Sequence, residues 1–194
     1  MNQYTDQQLI AKTLEGHTAS FGALVVRYQD FIFTIVIRMV KHREEAEEIA
    51  QDSFVKAFEG LKTFQGKSKF SSWLYSIAYR TALDYLRKSK RFQDSIAVEE
   101  VNDLEVATLE NGLQQLVVKE RAKIIQECIM KLPEMDAAII TFYYFEELSV
   151  REIAKITEQS EDNIKIKLYR SRKKLYSLLA PFVTSKAITH GRAI

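Results

Sequence analysis

The chain has 194 residues, 46% of them hydrophobic, with a formal net charge of +2, one cysteine and three histidines. That is enough apolar content for one domain or two small ones. It excludes a disulfide framework or thiolate metal centre, and no apolar run approaches the length of a membrane span.

Six Gly and two Pro in the whole chain predict an all-α fold with few tight turns. The charge is unevenly spread. Residues 1–92 carry 14 Lys/Arg and 10 Asp/Glu, residues 93–120 carry one and seven, and residues 121–194 carry 13 and nine, which gives +4, −6 and +4. Two basic blocks around an acidic segment suggest two modules that each meet a polyanion, joined by a linker that avoids it. The polar start MNQYTDQQ does not read as a signal peptide, so the chain is expected to be soluble and cytoplasmic.

Thr5 and Gln8 form a capping box that opens a short helix, and Gly16 fits its stop. Phe21, Leu24, Val25, Tyr28, Phe31, Ile32, Ile35, Val36 and Met39 recur every three or four residues and predict one long apolar helix as the spine of the first module. Residues 44–61 form the next helix, with Ala46, Ile49, Ala50, Phe54, Ala57, Phe58 and Leu61 as its inner stripe. Glu44, Glu45, Glu47, Glu48 and Asp52 crowd its start. They read equally as acids complementing a helix dipole or as a surface for a basic partner.

Residues 64–73, FQGKSKFSSW, break the helical pattern. Aromatics interleaved with cations suit unstacked bases and phosphate; the plain alternative is that Phe64, Phe70 and Trp73 anchor the loop to the core. Ser71 is a cap candidate for a helix over about 72–91, which ends in Arg87, Lys88, Lys90 and Arg91. Residues 93–120 read as an acidic linker with one helical stretch near 110–120. The helix from Arg121 carries Ile124, Ile125, Cys128, Ile129 and Leu132 inward, so Cys128 reads as a core thiol. His17, His42 and His190 show no ligand spacing.

Past Pro133, a dense apolar helix leads into LSVREIAKITEQSEDNIKIKLYRSRKKLYSLL at residues 148–179. Ser149 and Glu152 form another capping box, Ser160 is positioned to cap a second helix, and Ile164, Leu168, Leu175 and Leu179 face a core. This second helix also carries Lys165, Lys167, Tyr169, Arg170, Arg172, Lys173 and Lys174. A short helix, a tight turn and a basic helix form the helix-turn-helix arrangement, although an amphipathic hairpin with a solvated basic face fits the same stretch.

Three blocks in this order, EEAEEIAQDSFVKAF, TFQGKSKFSSWLYSIAYRTALDYLRK and LPEMDAAIITFYYFEELSVREIAKI with the basic helix after it, resemble the extracytoplasmic-function (ECF) sigma factors of the bacterial sigma-70 family over nearly the whole chain. The resemblance implies two small helical domains. Residues 1–92 would bind core RNA polymerase and the −10 promoter element, and 121–181 would bind the −35 element through the helix-turn-helix. Residues 93–120 would be the linker and 182–194 a tail. Glu47, Glu48, Gln51, Asp52 and Phe54 would contact the polymerase. Phe64, Gln65, Gly66, Lys67, Ser68, Lys69, Phe70 and Trp73 would capture an unpaired base, with Arg80, Arg87, Lys88 and Arg91 guiding the strand. Lys165, Ile166 and Tyr169 would read −35 bases. Arg170, Arg172 and Lys173, with the helix start at Ser160, would hold phosphates.

The chain departs from the family pattern at Arg80, where many relatives have Asn, at Glu158, where Gly is common in the turn, and at Ile166, which replaces a small polar residue. The resemblance implies no catalytic residue, metal, cofactor or small-molecule substrate. The partners it implies are core polymerase, promoter DNA and an anti-sigma protein. A duplex-binding regulator using only the helix-turn-helix, or a decoy that binds polymerase without opening DNA, would leave the acidic helix or the basic loop unexplained. A further expectation is that the acidic linker folds over the basic modules in the free chain.

Overall fold

A computed structural model describes residues 4–89 and 118–189, with side chains over 4–89 and 120–182. Lys90, Arg91 and residues 93–117 of the acidic linker lie outside the described residues, and its last three residues begin a helix. Those described are all helical, joined by short turns: α1 Asp6–Leu14, α2 Ala19–Val40, α3 Arg43–Gly60, a 3-10 turn Leu61–Thr63, α4 Phe70–Lys88, α5 Val118–Met130, α6 Glu134–Tyr144, α7 Val150–Thr157 and α8 Glu161–Thr189.

Local chemistry sets the helix starts. The Thr5 hydroxyl accepts from the Gln8 N–H while Gln8 Oε1 accepts from the Thr5 N–H at 2.8 Å. Ser149 and Glu152 repeat the box, with the Ser149 N–H donating to Glu152 Oε2 at 2.9 Å. These hydrogen bonds favour the ionised form and hold the Glu152 carboxyl below its ordinary range. Replacing Ser149→Ala removes one orphan-donor partner and is expected to cost about 1 kcal/mol, a drop of about 2–4 °C in Tm for a chain of this size, read by thermal denaturation. Ser71 caps nothing: α4 begins at Phe70 with Lys69 at the cap position and no side-chain cap.

The Phe21, Leu24, Ile32, Ile35, Val36 and Met39 stripe of α2 is buried. Contrary to the sequence expectation, α2 does reach the length and hydropathy that would fit a membrane span, with mean hydropathy 1.4 over its most apolar window. Its surroundings account for that: α2 packs on α1, α3 and α4 on one side and on α6 on another. A helix covered from more than one side can be apolar beyond a single stripe, and the buried positions gather toward the C-terminal end of α2, at Ile32, Ile35, Val36, Met39 and Val40, while Val26 near its start is exposed.

The two halves therefore meet directly. α2 lies on α6 and α4 lies on α7, in one continuous hydrophobic core. Phe142 of α6 is fully buried, with its ring 5.9 Å from Tyr75 and 6.5 Å from Tyr79 of α4. Polar ties surround it. Tyr75 donates to Glu146 at 2.6 Å, and Lys41, held in a left-handed conformation at the end of α2, donates to the Leu132 carbonyl at 2.9 Å. Arg38 is 3% exposed; it donates to the Thr141 hydroxyl at 2.8 Å and stacks 4.3 Å over the Phe145 ring. Burial without a carboxylate pulls the Arg38 pKa down to about 10.

Cys128 is buried, as its neighbours predicted, and burial raises its thiol pKa. Helix α8 runs on through Pro181 to Thr189, so residues 182–189 of the segment expected to be a weakly patterned tail continue that helix.

Candidate nucleic-acid interface

On α3, Glu47, Glu48, Gln51 and Asp52 are exposed, and Glu47 and Asp52 pair with Arg43 and Lys56 one turn away, at 2.9 and 2.8 Å. Phe54 belongs to the core instead. The same 3.6-residue geometry that puts Ala46, Ala50, Phe54 and Ala57 inward turns Val55 outward. Phe58, read as part of the inner stripe, is 42% exposed and touches Phe21 edge-on, with ring centroids 5.1 Å apart. The outward surface is thus acidic with an apolar end made by Val55 and Phe58, two residues the sequence pattern did not assign to it.

The loop between the 3-10 turn and α4 is divided. Phe70 is buried, and Phe64 and Trp73 are half-buried. The three rings lie 5.1 to 5.8 Å apart, so they do anchor the loop, as the plain alternative held. Gln65, Gly66, Lys67, Ser68 and Lys69 stand exposed, and Gly66 takes φ +68, a conformation glycine adopts without strain.

Beside this loop is an open cleft of about 450 Å³ with Tyr28, Phe64 and Phe70 among its walls and Arg27 and Lys69 along it. Asp6 from α1 closes one side by accepting from Arg27 and from the Tyr28 hydroxyl. Burial, then that hydrogen bond, push the Tyr28 hydroxyl well above its ordinary range, so it stays a neutral donor. The aromatic and cationic walls are those an unstacked base and its phosphate require. Tyr28 had read only as a core position, and no local signal marks it otherwise, because α1 and the loop meet there across tens of residues.

Along α4, Arg80, Arg87 and Lys88 are exposed. Arg87 pairs with Asp84 at 3.5 Å. Arg80 reaches across to the second half, where its Nη2 lies 2.9 Å from Glu158 Oε1.

The helix-turn-helix consists of α7 and α8. Its turn passes through Glu158 at φ 56, ψ 37. Ser160 caps α8 by accepting from the Asn163 N–H at 3.2 Å. Ile164 and Leu168 are buried, whereas Lys165, Ile166, Tyr169 and Arg170 are exposed, Ile166 at 49% and Tyr169 at 64%. Lys165 donates to Asp162 at 2.9 Å, which raises its pKa and keeps it charged. Lys167 is turned inward to Asp136 at 3.3 Å. Arg172 and Lys173 are half-buried. The Arg172 guanidinium stacks over Tyr143 and Tyr144 at 5.3 and 5.7 Å, and its Nε is buried without an acceptor among the described residues. Of the residues expected to hold phosphates, Arg170 is thus the one that points freely outward.

Comparison with known proteins places both halves. The family description "Sigma-70 region 2" matches residues 24–92, and "Sigma-70, region 4" matches residues 122–175. The chain is 31% identical over 191 residues to an RNA polymerase sigma-H factor of Pseudomonas aeruginosa, covering 94% of this chain and 98% of that protein. It is 32% identical over 174 residues to the ECF RNA polymerase sigma factor SigW of Bacillus subtilis, covering 86% of this chain and 92% of that one. Among solved structures, CnrH in complex with the cytosolic domain of CnrY shares the fold at a TM-score of 0.63 and 22% identity, covering 91% of this chain and 97% of that chain. RpoE in complex with the anti-sigma factor NepR, from Bartonella quintana, does so at 0.62 and 20% identity, covering 82% and 96%.

Proposed function

The chain belongs to the sigma-70 family as an extracytoplasmic-function sigma factor, a promoter-recognition and transcription-initiation subunit of RNA polymerase rather than an enzyme, and on that footing we propose how its surfaces divide the work. Residues 1–92 act as the polymerase and −10 unit, 93–120 as a linker and 121–181 as the −35 unit. The acidic face of α3, from Glu47 and Glu48 through Gln51 and Asp52 to Val55 and Phe58, docks on core polymerase. The loop Phe64–Trp73 with its cleft takes a base from the opened strand, and Arg80, Arg87 and Lys88 follow the strand's phosphates.

The observation that carries the duplex half of this reading is the outward strip of α8. Lys165, Ile166, Tyr169 and Arg170 are exposed together while Ile164 and Leu168 hold the helix from behind. Such a helix can enter a major groove without unpacking. Lys165 supplies a donor to base acceptors, Ile166 an apolar contact of the kind a thymine methyl makes, and Arg170 a phosphate contact that fixes register.

An anti-sigma protein is the natural regulator, since the solved neighbours CnrH and RpoE are bound to CnrY and NepR. The place of action is the cytoplasm, where the polymerase works. The test is run-off transcription with core polymerase on a genomic fragment library. Promoter-dependent transcripts are expected only when this chain is added, and a chain that does not bind core polymerase would refute the reading.

A further inference from the structure

The cleft beside the loop holds one group that a phosphate site does not ask for. Asp6, the first residue of α1, stands in its wall with Arg27, Tyr28, Phe64 and Lys69. A carboxylate repels phosphate, so its place beside a strand path weakens backbone binding rather than aiding it. A clasp between α1 and α2 explains part of its presence, since Asp6 pairs with Arg27 and the two side chains are 26% and 32% exposed. A clasp accounts for the ion pair. It does not use the remaining acceptor capacity, which borders the space assigned to the base.

The hydrogen bonds define that capacity. Asp6 Oδ1 accepts from Arg27, and Oδ2 accepts from the Tyr28 hydroxyl at 2.5 Å. A carboxylate has about four lone-pair sites, so both oxygens can accept again. Tyr28 has spent its one hydroxyl proton on Asp6, and its oxygen is left as an acceptor beside them. Arg27 is held in turn: it donates to Asp6 and, at 2.8 Å, to the Tyr4 carbonyl. Its charge is answered by Asp6, whereas Lys69, exposed on the loop, is the cation placed to meet a phosphate. The wall at Asp6 therefore presents a pair of acceptors.

Two adjacent acceptors discriminate among unpaired bases. Adenine, cytosine and guanine each carry an exocyclic amino group, whose two hydrogens can serve both acceptors. Thymine has a single ring N–H between two carbonyl oxygens, and those oxygens would be set against the carboxylate. We propose that Asp6, with the Tyr28 oxygen beside it, is a specificity-determining residue that makes the cleft prefer a captured base with an exocyclic amino group over thymine. This rests on the strand-capture reading of the loop and cleft above, and adds base selection to it.

The test uses the full chain bound to core polymerase and dye-labelled single strands, each with one base among abasic sites, read by fluorescence anisotropy. On the native complex, strands bearing adenine, cytosine or guanine should bind at least about fivefold more tightly than the thymine strand, the low end of what one base-edge contact discriminates. A 5-methylcytosine strand separates the amino group from the methyl group, because it joins thymine's methyl to cytosine's amino edge. It should rank with cytosine. Ranking with thymine would overturn the proposal.

Asp6→Asn keeps the shape and removes the charge, and should bring thymine within about twofold of the amino-bearing bases as the base-edge contact is lost. Tyr28→Phe drops the second acceptor and keeps the ring. It should narrow the preference partway, and it carries the same test if Asp6→Asn does not fold. Equal weakening of all four strands by Asp6→Asn would leave Asp6 as a clasp only and overturn its part in selection. A native complex that binds every base no better than a fully abasic strand would instead refute base capture by the cleft.

Discussion

Replacing Phe142→Ala is expected to lower the unfolding free energy by about 3–5 kcal/mol, the range for a fully buried aromatic truncated to a methyl group. Phe142 has no exposed surface, and its ring is flanked by Tyr75 and Tyr79 from the other half of the chain. The cavity would open in the apolar core between the two halves, beside the Arg38–Thr141 hydrogen bond. The loss should appear as a fall of about 10 °C in the melting temperature, with Phe142→Leu recovering most of it. A loss under about 1 kcal/mol would mean that the two halves do not share this core in solution.

The second large effect is expected on α8. Replacing Lys165→Ala together with Tyr169→Ala removes two exposed side chains from the strip assigned to the −35 element. At 1–3 kcal/mol for each base-reading contact, promoter-dependent initiation at limiting protein should fall about 30-fold or more. Binding to core polymerase should stay within about twofold of native, because α3 is untouched. Run-off transcription and a polymerase binding titration measure the two separately. Full activity in the double variant would refute the assignment of this helix to base reading.

Much of the fold was legible because its signals are local. The Thr5–Gln8 and Ser149–Glu152 boxes set helix starts within four residues, and both occur as read. The stripe of α2 needed only the helical repeat. The outward strip of α8 followed from the burial of Ile164 and Leu168 between its members.

What was not legible depends on distant pairing. Tyr75 and Glu146 are 71 positions apart, and Arg38 and Thr141 are 103 apart. A stripe says that a face is buried and not against what, so α2 read as the spine of one module although it also packs on α6. The same limit applies to the candidate site. Nothing near Arg172 indicates that it stacks on Tyr143 and Tyr144, so its charge read as available for phosphate. Phe54 was placed on an outer face by resemblance while its own periodicity placed it inward, and burial decides for the periodicity. Arg80 and Glu158 each stood out alone as departures from the family pattern, and only the folded chain makes them partners.

Trp73 is the chain's one tryptophan. It sits half-buried against Phe64, Phe70 and Gly60, at the base of the loop assigned to strand capture. Indole emission depends on just such surroundings. The unmodified chain therefore carries its own optical reporter at this site. Its fluorescence can be followed by stopped flow against short single-stranded oligonucleotides, without a dye or a second tryptophan to subtract, so that the rate of base capture becomes measurable apart from the enzyme that later uses it.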